Sequence, residues 1–321
     1  HSDLRPAMFS SAVAVPVHLL CLHVLVTLDA LGLGFYGAAV ALALSSFWLS
    51  GFLIIYVRRH DLWRKTWIMD ESTWHGWTWD CTKHIPEYLW IALPSAGCVC
   101  LEWWCFELVT LFSSRLGTTV VAAQTVLFNT TACIFVFGLG ISVAATTRVG
   151  NALGAHKAVS ARRSAAVSSG LSFLMALSLA VILYCFRVPW IKLYTSDPAV
   201  LQAADMVVPI QASFTVFDCQ NGVLAGILRG VGKPRVGLII TIVCYYFVAF
   251  PMGLYLCFER EMGLAGLWYG LAMGSVSCAL LQGGYLYRLS WAEMAQQADD
   301  RVQAHKDRES SRSLDASRRS S

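Results

Sequence analysis

Eight apolar stretches, each long enough to cross a lipid bilayer, dominate this chain: residues 8–28, 35–57, 88–112, 119–147, 164–186, 200–225, 236–258 and 264–287. A hydrocarbon core takes roughly 20 residues of helix to cross. Lipid offers the backbone no hydrogen-bond partners, so such stretches fold as helices. The alternating polar segments of a membrane β-barrel do not occur in the sequence. The expected fold is an all-α polytopic membrane protein with about eight transmembrane helices. Charge agrees: 14% of the residues are charged, against about a quarter in soluble domains.

The net charge of +4 sits in short loops and a tail, which argues against nucleic-acid binding. The eleven cysteines fall mostly within apolar segments, without a zinc-type spacing, and read as small buried hydrophobes. No metal and no cofactor is expected. The glycosylation match at Asn129-Thr130-Thr131 falls inside a membrane segment and carries nothing.

Basic residues set the orientation, because cytoplasmic loops are enriched in Lys and Arg. With the N-terminal side of the chain cytoplasmic, the inner loops hold Arg58, Arg59, Arg64, Lys65, Lys83, Arg148, Lys157, Arg162, Arg163, Arg229, Lys233 and Arg235. The outer loops hold only Arg115, Arg187, Lys192 and Arg260. The C-terminal tail is then cytoplasmic as well.

A pattern of helix, acidic hairpin and Gly-aromatic-Gly start occurs twice, around GLGFYG (32–37) and GLAGLWYG (263–270). It suggests two related halves, as in many secondary transporters. Residues 1–57 then supply the last two helices of a first lobe, 58–87 a cytoplasmic linker, 88–290 a complete six-helix second lobe, and 291–321 a disordered tail. Four helices of the first lobe are expected upstream of His1, and these missing helices are the first expected partner.

The segment Tyr88–Phe112 carries two acids, Glu102 and Glu107, beside Trp103 and Trp104. An ionisable group inside a membrane is rare unless it faces a cavity. A buried carboxyl can bind and release a proton near neutral pH. Their spacing separates the two acids by about 140° around a helix, so they face different directions. Asp218 is a third intramembrane acid, with Gln220 and Asn221 beside it and Phe214 one turn earlier. Gln124 and Asn129 are weaker polar candidates for the same cavity.

Other features have plainer readings. Gly222, Gly226 and Gly230, and again Gly266, Gly270 and Gly274, make small-residue ridges that let helices approach. Pro94, Pro209 and Pro251 bend helices as hinges or as fixed kinks. GVGKP (230–234) lacks the Ser or Thr and the preceding strand of a phosphate loop. His18 and His23 read as packing or hydrogen-bonding groups. The run Arg148–Ala155 reads as a helix end with glycines suited to a turn.

Five stretches together resemble the eukaryotic branch of the multidrug and toxic compound extrusion (MATE) family: CLEWWCFE (100–107), AAQTVLFN (122–129), ISVAATTRVGNALGA (141–155), FDCQNGVLAGILRGVGKPRVG (217–237) and YYFVAFPMG (245–253). The resemblance implies two six-helix lobes around a central cavity and export of organic cations or amphiphilic metabolites against H+ or Na+. It implies family acids at Glu102, Glu107 and Asp218. Asn129 stands where animal-type members carry a further acid.

The expected function is therefore antiport of an organic cation or amphiphile at the plasma or vacuolar membrane, without enzymatic activity. Protons or sodium bind Glu107 and Asp218, with Glu102 tuning the pair. Trp103, Trp104, Phe214, Gln124, Asn129, Gln220 and Asn221 line the substrate cavity. The alternatives are a receptor or scaffold with a structural acid network, which predicts no gradient-driven flux, and a lipid-linked-sugar flippase, which predicts a basic cavity.

Overall fold

A computed structural model describes residues 5–27, 34–59 and 85–300. Among the described residues, each expected span is a helix long and apolar enough to cross a membrane, eight in all. The protein is an all-α, multi-pass integral membrane protein. Residues 1–83 and 84–321 form two compact units, described in turn. Most of the expected linker, residues 60–84, lies outside the described residues.

The first unit holds α1 (Arg5–Leu22, continued by a π-turn over His23–Thr27) and α2 (Gly34–Arg59). The two pack through Phe9 and Phe52, whose ring centroids lie 5.9 Å apart. The Ser45 hydroxyl donates to the carbonyl of Ala41. Its oxygen therefore accepts from His18 Nδ1 at 2.9 Å, a packing role for that histidine.

The second unit holds six spans: α3 (Ile85–Ser113), α4 (Thr118–Gly154), α5 (Ala158–Cys185), α7 (Pro198–Gly230), α8 (Pro234–Glu259) and α9 (Gly263–Arg288). A short α6 (Arg187–Lys192) joins α5 to α7. Its Arg187 Nε donates to Asp205 of α7 at 2.7 Å. Local chemistry sets the start of α7: Asp197 caps it, its side chain accepting from the amide of Ala199 at 2.8 Å, and Pro198 opens its first turn, where a missing N–H costs nothing.

The two long helices α4 and α7 form the central seam. Ser142 Oγ donates to Gly222 O at 2.6 Å and Thr146 Oγ1 to Gly226 O at 2.7 Å. The backbones come this close because Gly226 and Gly230 have no Cβ; one at Gly230 would sit 2.7 Å from the Thr146 carbonyl. Gly270 and Gly274 do the same for α9 against α8. Both ridges are packing devices. Beside the seam, Phe106, Phe214 and Trp268 meet ring to ring at 5.7–6.3 Å.

The prolines divide in their effect. Pro94 and Pro209 lie inside unbroken α-helices. In α8 the backbone widens into π-turns over Ile242–Ala249 and again over Tyr255–Glu259. Pro251, between them, can neither donate to the preceding turn nor avoid its carbonyl, and the wider turns absorb that misfit.

Arg148–Ala155 is a helix end, as expected: α4 runs past residue 147 to Gly154, and the reversal comes at His156, which has φ +59°. One expectation needs correction. The expected disordered tail begins as a helix, with residues 291–300 helical. Met294 and Ala295 are buried in an apolar cluster with Val149, Leu153, Ala161 and Leu286. His156 Nε2 and Asp299 Oδ1 lie 2.9 Å apart. Trp291, Met294, Ala295 and Ala298 repeat at helical spacing, an apolar face hidden among polar residues. Residues 301–321 lie outside the described residues.

Candidate functional site

The inward stripe of α3 is Cys98, Glu102, Cys105, Phe106 and Val109, spaced at three and four residues; all but Glu102 are fully buried hydrophobes. Glu102 thus projects towards α7, where Asp218 is 2% exposed. The two carboxyls line one narrow slot, close enough to share a proton or a cation. The Tyr245 hydroxyl of α8 donates to Glu102 Oε1 at 3.4 Å.

The pair lies where two spaces meet. A narrow slot holds Glu102 and Asp218 among Trp103, Phe106, Phe128 and Phe135. It adjoins a cavity of about 430 Å³ that shares Glu102, Trp103, Ala132 and Phe135 with it. Asn221, Arg229, Tyr245, Ser142 and Gln282 contribute its polar lining. Trp103 stands edge-on to Phe128 and Phe135, with centroids 5.8 and 6.4 Å away.

Arg229 is the fixed cation of this cavity. Its Nη2 donates to Ser142 Oγ at 3.1 Å, and it lies within electrostatic range of Glu102. Asn221 Nδ2 donates to Ser275 Oγ and to the Ser275 carbonyl, at 2.9 and 3.1 Å. Gln282 Nε2 donates to Cys278 Sγ at 3.2 Å. Of the buried acceptors without a donor among the described residues, Asp218 Oδ1, Asn221 Oδ1 and Gln282 Oε1 belong to residues that line these two spaces.

The residues singled out from the sequence fall into two groups. Glu102, Trp103, Asp218 and Asn221 come together around these two spaces. Glu107 is exposed on the other side of α3 and lines neither space, so Asp218 meets Glu102 where Glu107 was expected. Trp104 is 60% exposed. Phe214 is fully buried in the aromatic core. Gln124 is fully buried, with Oε1 accepting from Trp268 Nε1 at 2.9 Å. Asn129 is exposed and donates back to the Thr125 carbonyl. Gln220 donates to Ser169. None of these last four lines the cavity, because each side chain is taken up by packing or by its own hydrogen bonds.

Arg229, Tyr245, Ser142 and Gln282 were not among the expected site residues. A signal existed for Arg229. Asp218, Gly222, Ala225 and Arg229 form one stripe of α7 at helical spacing, whereas the loop assignment counted Arg229 as an orientation charge. None existed for Tyr245, whose π-helical setting breaks the regular period.

Comparison with known proteins bears on most of the chain. Residues 94–255 match the family model MatE. Multidrug and toxin extrusion protein 1 of Rattus norvegicus is 35% identical over 274 residues, 84% of this chain and 47% of that protein. Multidrug and toxin extrusion protein 2 of Mus musculus is 35% identical over 275 residues, 86% of this chain and 47% of that protein. The chain thus spans about half the length of the curated relatives it matches. Among solved structures, the eukaryotic MATE transporter AtDTX14 superposes with a TM-score of 0.83 at 26% identity, over 92% of this chain and 65% of that one.

Proposed function

Since the chain belongs to the MatE family of multidrug and toxic compound extrusion transporters, we propose that it forms part of a secondary active antiporter that exports organic cations or amphiphiles in exchange for protons. The observation that carries this reading is the meeting of Glu102 and Asp218 at the mouth of an aromatic-walled cavity. The relatives are about twice as long, and the proposal assigns their further helices to a first lobe completed by α1 and α2.

With one proton on the acid pair, the remaining carboxylate is balanced by Arg229 and the cavity is close to neutral. Loss of that proton leaves two carboxylates against one guanidinium. The net negative site attracts a cation, and the faces of Trp103 and Phe135 add cation–π attraction. A proton arriving from the acidic side restores neutrality and expels the cation. Tyr245 orients Glu102 for this exchange through its hydroxyl, and Arg229 limits the charge that can accumulate. Alternating access then carries the site between the two membrane faces by rocking of the lobes. By the positive-inside tendency, the end bearing Arg148, Arg162, Arg163 and Lys233 faces the cytoplasm, at a plasma or vacuolar membrane.

The test is efflux of a fluorescent organic cation from proteoliposomes of the full-length protein under an imposed proton gradient. Glu102→Gln and Asp218→Asn should each abolish gradient-driven efflux. Undiminished flux in both variants would sink the proposal and leave the acids as a structural network. A second reading, sodium as coupling ion, is favoured by one observation. Asp218 Oδ1, Asn221 Oδ1 and Gln282 Oε1 are hard oxygen donors without partners among the described residues, the ligand type that sodium takes. Flux driven by a sodium gradient at equal pH on both sides distinguishes the two ions.

A further inference from the structure

A second space lies away from the acid pair, in the groove between α4 and α5 at their shared Arg-rich end. It encloses about 460 Å³. Arg148 of α4 and Arg163, Ser160, Ser164 and Ser168 of α5 form its polar side. The serines fall at every fourth residue, so their hydroxyls line up along one face of α5. Other helical serines among the described residues donate back to a carbonyl of the preceding turn, as Ser113, Ser178 and Ser277 do. These three have no partner among the described residues, and neither guanidinium has an ion pair there. No carboxylate lies in the lining.

The depth of the groove matters as much as its charge. α4 has 37 residues and is about 55 Å long, well beyond a hydrocarbon core of about 30 Å. Arg148 and Arg163 lie within about two turns of the hairpin that joins the helices, at headgroup level. Towards the bilayer centre the groove becomes apolar, walled by Ile141, Val167 and Leu171. A larger groove at the same end, beside Lys233 and Arg288, contains Glu293 and is a poorer match for an anion.

We propose that the α4–α5 groove binds one acidic phospholipid. The guanidiniums of Arg148 and Arg163 pair with the anionic headgroup and phosphate, as planar donor forks do. The Ser160 and Ser164 hydroxyls donate to headgroup oxygens, and an acyl chain lies along Val167 and Leu171. Basic pockets between transmembrane helices at the cytoplasmic level take such headgroups. This site is separate from the acid pair and does not depend on the transport proposal.

Native mass spectrometry of the purified protein, released from nanodiscs of phosphatidylserine mixed with phosphatidylcholine, tests the assignment. Wild type should retain phosphatidylserine in preference to phosphatidylcholine. The Arg148→Gln/Arg163→Gln double variant should lose that preference by about tenfold or more. Val167→Trp, which fills the groove and keeps both charges, should lose it as well. Melting in pure phosphatidylcholine discs reports whether each variant is folded, and Val167→Trp decides the matter if the double variant is not. Wild-type retention of phosphatidylserine by a folded variant of either kind would overturn the proposal. Equal stabilisation of the wild type by inorganic phosphate would also overturn it, by assigning the groove to a soluble anion.

Discussion

The indole N–H of Trp268 on α9 donates to Gln124 Oε1 on α4 at 2.9 Å, and both side chains are fully buried. Gln124 is a structural clamp at the centre of the bundle. Gln124→Leu would leave the indole N–H unpaired, at a cost of about 1–3 kcal/mol. We expect a lower melting temperature in detergent, with unchanged substrate preference per folded molecule. A shifted preference at wild-type stability would return Gln124 to the substrate cavity.

The acid pair predicts a pH dependence with a definite sign. Proton and cation compete for the same charge, so substrate binding to wild type should weaken as pH falls and strengthen as it rises. Asp218→Asn removes one of the two competing groups, and its binding curve should be flatter across the same range. Glu107, exposed on the far side of α3, should behave differently: Glu107→Gln should keep the wild-type pH dependence. Isothermal titration with a quaternary ammonium probe, which cannot itself titrate, gives both curves. A flat profile in Glu107→Gln and a wild-type profile in Asp218→Asn would reverse the assignment of the two acids.

Gly226 predicts how tightly the central seam is made. A Cβ there would lie 2.7 Å from the Ser142 carbonyl oxygen, which belongs to helix backbone and cannot move aside. Gly226→Ala should therefore destabilise the protein by about 1–3 kcal/mol through overpacking, whereas Gly283→Ala, with open space around its Cβ position, should be nearly neutral. Thermal unfolding of the two variants side by side makes the comparison. Equal melting temperatures would show that α4 and α7 separate more easily than their contacts imply.

How far the sequence carries is visible in these same residues. The spans were legible because apolar length alone defines them, and the glycine ridges because their spacing is that of a helix face. That Glu102 and Glu107 point apart followed from helical geometry. Which of them meets Asp218 did not, since it depends on how α3 is rotated against α7, and no single-helix pattern contains that angle. Gln124, Phe214 and Gln220 looked like cavity residues because polarity and aromaticity mark a packed core as well as a binding site. Tyr245 was hidden by the π-turns around Pro251, which remove the period that sequence reading relies on.

The terminal helix offers the last test. Residues 291–300 dock on the Arg-rich end of the bundle chiefly through Met294 and Ala295, each 6% exposed. The His156–Asp299 contact is partly solvent-exposed, and pairs open to solvent contribute little, so apolar burial carries the docking. Met294→Asp would place a carboxylate among Val149, Leu153 and Leu286. Burying that charge costs more than releasing a short helix, so the helix should undock while the six spans remain folded. Asp299→Asn should leave it docked. Limited proteolysis reads the difference: cleavage between Ser290 and Asp300 should accelerate strongly in Met294→Asp and stay at the wild-type rate in Asp299→Asn. The opposite ranking would mean that the ion pair, not the apolar face, holds the helix to the bundle.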